Sequence, residues 1–150
     1  MTNQQTVGTL NDLLTKAYDA EQGYAHAADK VAESSPFLAS FFKNQSELRL
    51  EIGHELKTLI GKYGGEPDKG ASAAAKAHQI WITVKDLVTG SSEEAILEEC
   101  ERGEGAALEE YNEAITKEGL PEDVRTCLLK QRNRISSALA EVRAKEEIAD

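Results

Sequence analysis

The sequence predicts an all-α fold of four long helices, with a long connection between the second and third that holds a shorter fifth helix. Apolar residues recur in steps of three and four through four long segments, the period of a helix with one buried face. Aromatic residues make up only 5% of the 150 residues, whereas Ala, Leu, Glu and Lys abound, a balance that favours helices over sheets. Glycine and proline fall between the periodic segments. The length suits a single domain, residues 1–150, with one hydrophobic core.

Helix one is expected from about Thr9 to Ala32, with Thr9 as N-cap. Ser35-Pro36 supplies an N-cap and first-turn proline for helix two, which continues to Tyr63 before Gly64-Gly65 ends it. After the loop Glu66-Pro67-Asp68-Lys69-Gly70, a short amphipathic segment places Ala77, Ile80, Trp81, Val84, Leu87 and Val88 on one face and stops at Gly90. Ser91 with Glu94 reads as a capping box opening helix three, which runs to about Gly119. Leu120-Pro121-Glu122-Asp123 starts helix four, and the tail from Lys145 is expected to fray.

Short turns make helices one and two one hairpin and helices three and four another. The stretch from Gly64 to Gly90, at ~1.5 Å per helical residue, is long enough to cross back along a ~40 Å bundle. An up-down-up-down bundle with an added helix is the alternative. Trp81 either seals the side of the bundle or lies in a dimer interface.

A polar residue stands at the middle of three of the apolar stripes. The first reads Leu10, Leu14, Ala17, Glu21, Tyr24, Ala28, Val31; the second Leu97, Cys100, Glu104, Ala107, Tyr111, Ala114; the third Val124, Leu128, Gln131, Ile135, Ala138, Val142. Each of Glu21, Glu104 and Gln131 is therefore expected to point inward, where a buried polar group needs a metal, a counter-charge or a hydrogen-bond partner.

The segments Leu10-Asn11-Asp12-Leu13-Leu14, Glu21-Gln22-Gly23-Tyr24, Gly64-Gly65-Glu66-Pro67 and Ile96 through Glu104 (Ile-Leu-Glu-Glu-Cys-Glu-Arg-Gly-Glu) resemble a bacterial four-helix-bundle family of unknown function within the ferritin-like superfamily. The resemblance covers most of the chain and implies a ferritin-like four-helix bundle with one long crossover. It implies no activity, and only by that resemblance a stress-associated or interaction role. Ferritin-like proteins in general bind a di-iron or di-manganese pair through one Glu from each of two helices and a Glu-x-x-His from each of the other two.

Glu21 and Glu104 occupy the single-glutamate positions. On helix four the corresponding pair reads Gln131-x-x-Arg134, an amide and a cation that cannot coordinate metal. Helix two contains Glu51-x-x-His54, but at ~100° per residue His54 lies nearly opposite the apolar face and Glu51 at its flank. Counting back from Gly64-Gly65 puts Arg49 and Ile52 at the ligand level instead. The expectation is a degenerate metal site: a midplane polar network of Glu21, Arg49, Glu104, Gln131 and Arg134, in which arginine replaces the metal cation. No cofactor is then expected and no catalysis. The alternative is a di-metal oxidase or iron-handling protein holding iron or manganese through Glu21, Glu104 and Gln131. A single weak metal site and plainly solvated glutamates are further readings.

Gly23, Gly53, Gly103 and Gly105 interrupt helix midpoints and are read as sites of close packing rather than as room for a ligand. Cys100 and Cys127 sit at opposite depths on antiparallel helices, about 12 Å apart along the axis, and are expected as free thiols. His26, His54 and His78 fall on outer or crossover surfaces, and Glu55 on a flank that reaches solvent. The net charge of −10 argues against nucleic acid or an anionic membrane as partner. With no span-length apolar run and a polar start, Met1-Thr2-Asn3-Gln4-Gln5, the chain is read as cytoplasmic. Its expected partner is an unidentified protein, and its expected state a monomer or homodimer.

Overall fold

A computed structural model describes residues 1–68 and 93–149. Within them the chain forms four helices, α1 (Asn3–Val31), α2 (Pro36–Lys62), α3 (Glu93–Ile115) and α4 (Glu122–Ala149). The expected fifth helix, with Trp81, His78 and the Ser91 cap, lies outside the described residues.

α1 starts earlier than expected. Thr2, not Thr9, is the N-cap: its hydroxyl accepts from Gln5 N at 3.1 Å and Gln5 Oε1 accepts from Thr2 N at 2.8 Å, a complete capping box. Two orphan amides are thereby satisfied, so Asn3–Gly8 joins the helix. Thr9 sits inside and donates its hydroxyl back to Gln5 O at 3.1 Å. Ser35 caps α2 by accepting from Leu38 N at 3.2 Å, with Pro36 in the first turn. α2 closes on Gly64, whose φ of 78° belongs to glycine, while Gly65 N donates to Ile60 O at 2.9 Å. α3 ends ahead of Gly119, which also has positive φ. α4 stays helical through Ala149 rather than fraying from Lys145. Lys145 is held there by the Phe37 and Phe41 rings, its Nζ lying 5.4 and 4.4 Å from their centroids.

Two apolar clusters fill the bundle, one toward each end. One joins Ala20, Tyr24, Ala28 and Val31 of α1 to Leu38 and Phe42 of α2, Ile96, Leu97 and Cys100 of α3, and Val142 of α4. The other joins Leu10 and Leu14 of α1 to Ile52, Leu56 and Ile60 of α2, Tyr111 and Ala114 of α3, and Val124 and Leu128 of α4. The first halves of α2 and α3 thus share an end with the second halves of α1 and α4. Consequently α2 and α3 run in one direction, and α1 and α4 in the other. α2 finishes at the end where α1 begins, with Lys62 and Tyr63 bonded to Asp123, whereas α3 begins at the opposite end. No helix among the described residues is long and apolar enough to cross a membrane.

Candidate functional site

Between the two apolar clusters lies a polar layer, built by residues that the helical period carries inward. Arg49 of α2 is 2% exposed, and Glu104 of α3 and Gln131 of α4 are 0% exposed. Arg49 Nη2 donates to both carboxylate oxygens of Glu104, at 2.6 and 2.5 Å. The Tyr24 hydroxyl of α1 donates to Glu104 Oε2 at 2.7 Å. The guanidinium carbon also lies 5.7 Å from the Tyr24 ring centre, a cation–π approach away from water. Three helices therefore meet at one carboxylate.

Burial raises the pKa of Glu104, and the charge of Arg49 with the bonds from Tyr24 and Arg49 acts against that rise. Burial first, then the Glu104 charge, pushes the Tyr24 phenol well above its ordinary range. Tyr24 stays a neutral donor and Glu104 an acceptor.

A second chain of bonds runs outward along α2 and α4. The Tyr111 hydroxyl donates to Gln131 Oε1 at 2.7 Å, and Gln131 Nε2 donates to Glu55 Oε1 at 2.9 Å. Arg134 then bonds the Glu55 carboxylate at 3.3 Å and the Glu51 carboxylate at 3.1 Å. A cavity of about 10 Å³ is walled by Arg49 of the first chain of bonds and Tyr111 of the second, with Ile52, Ala107 and Ile135; it has room for about one water and no organic substrate.

The structure thus brings together Arg49 with Glu104, but not all five expected residues in one network. Glu21 is half-buried at the edge of α1; burial raises its pKa while Lys57 and His54 lower it. The reason is the width of the α1 stripe, whose buried residues at this level are Ala20, Gly23 and Tyr24, leaving Glu21 one step round the helix. Arg134 turns to Glu51 and Glu55 instead of the inner glutamates. Tyr24, Tyr111 and Glu55 complete the layer. The tyrosines were visible only as members of the apolar stripes, and their hydroxyls were the missed signal. Glu55 is 39% exposed, a flank residue that also reaches inward.

A di-metal pair does not fit this donor set. Both Glu104 oxygens are taken by a guanidinium, Gln131 is bonded at both ends of its amide, and Glu51 is exposed. Among the described residues no group of three or more His, Cys, Asp or Glu is placed to hold a metal ion.

The chain belongs to a family defined by a domain of unknown function, DUF2383, which matches residues 5–117. Arg49, Tyr24 and Glu104 lie within that span, whereas Gln131 and Arg134 lie beyond it. No curated protein matches the chain.

Proposed function

We propose that this protein is a ferritin-like, non-enzymatic bundle, a stress-associated or interaction protein of the cytoplasm, with a degenerate metal site whose place is taken by an internal ion pair. The observation that carries the reading is Arg49 Nη2 at 2.6 and 2.5 Å from the two Glu104 oxygens, out of solvent. A fixed cation there does the charge-balancing work of a metal without redox or Lewis-acid chemistry. The ferritin-like topology, with one long connection between the two hairpins, is supported by the opposed ends at which α2 finishes and α3 begins.

The test is metal content by plasma mass spectrometry, on protein purified without chelator and again after anaerobic Fe(II) loading and desalting. Stoichiometry near zero in both is expected. Close to two equivalents of iron or manganese, lost in Glu21→Ala and Glu104→Ala, would overturn the reading in favour of a di-metal oxidase or iron-handling protein using Glu21, Glu104 and Gln131.

A further inference from the structure

We draw no further inference here: the strongest candidate, the cleft of about 220 Å³ between α2 and α4 lined by Gln45, Leu48, Arg134, Ser137, Ala138 and Glu141, carries none, because its Arg134 is already paired with Glu51 and Glu55 and nothing in the structure shows what covers it.

Discussion

Arg49 and Glu104 face each other across the interior from two different hairpins, with one guanidinium nitrogen 2.6 and 2.5 Å from the two carboxylate oxygens. Each is a charge that the core tolerates only because of the other. Arg49→Leu or Glu104→Leu is therefore expected to cost about 3–5 kcal/mol, through the buried charge left behind. Arg49→Leu combined with Glu104→Leu should recover most of that loss. Urea unfolding of the two single variants and the double variant measures the coupling; additive losses would refute it.

The end of the bundle has its own electrostatic tie. Asp123 Oδ2 accepts from Lys62 Nζ at 2.5 Å and Asp123 Oδ1 accepts from the Tyr63 hydroxyl at 2.5 Å. The Lys62 bond first, then the Tyr63 bond, lowers the Asp123 pKa from 3.8 to about 2. A carboxyl depressed on folding contributes stability above its unfolded value, and the contribution disappears as pH falls through the folded one. Thermal melts of wild type and Asp123→Asn should differ above pH 3.8 and converge near pH 2. A constant gap across that window would assign the effect to something other than this ionisation.

The contrast between Arg49 and Glu21 shows what the sequence could reveal. Arg49 was reachable because Gly64-Gly65 fixes the end of α2, and counting turns back from a fixed end preserves helical phase. Glu104 and Gln131 sit squarely on narrow stripes. α1 differs, since its Ala20 and Gly23 are small enough to pass for either surface or core. The stripe drawn through Glu21 was one of two adjacent stripes, and only packing against α2 selects between them. Tyr24 and Tyr111 are core residues, as their stripes imply, but periodicity carries no information about where a hydroxyl goes.

The interior glycines separate by what a Cβ would meet. At Gly105 and Gly61 there is nothing within 4 Å, and at Gly53 only Leu14 Cδ1 at 3.6 Å, so close packing is not why Gly53 and Gly105 are glycine. Alanine at Gly61 or Gly105 should stabilise by about 0.5–1 kcal/mol through helix propensity. Gly65→Ala should instead destabilise, because its Cβ would lie 2.5 Å from Val7 Cγ1. Chemical unfolding of the single variants checks the opposite signs.

Cys100 and Cys127 are both free thiols, but their surroundings differ. Cys100 is 0% exposed, and burial first, then the Glu104 charge, pushes its thiol well above the ordinary range. Cys127 is half-buried and receives a hydrogen bond from Gln131 Nε2 at 3.5 Å. Since the thiolate is the reactive form, an aromatic disulfide reagent should label Cys127 slowly in the native protein and Cys100 only on unfolding. Glu104→Gln separates the two causes at Cys100. It removes the neighbouring charge and leaves the site buried, so protection should persist apart from any faster global unfolding. If Cys100 instead became reactive with the fold intact by circular dichroism, the carboxylate rather than burial would be what keeps it inert.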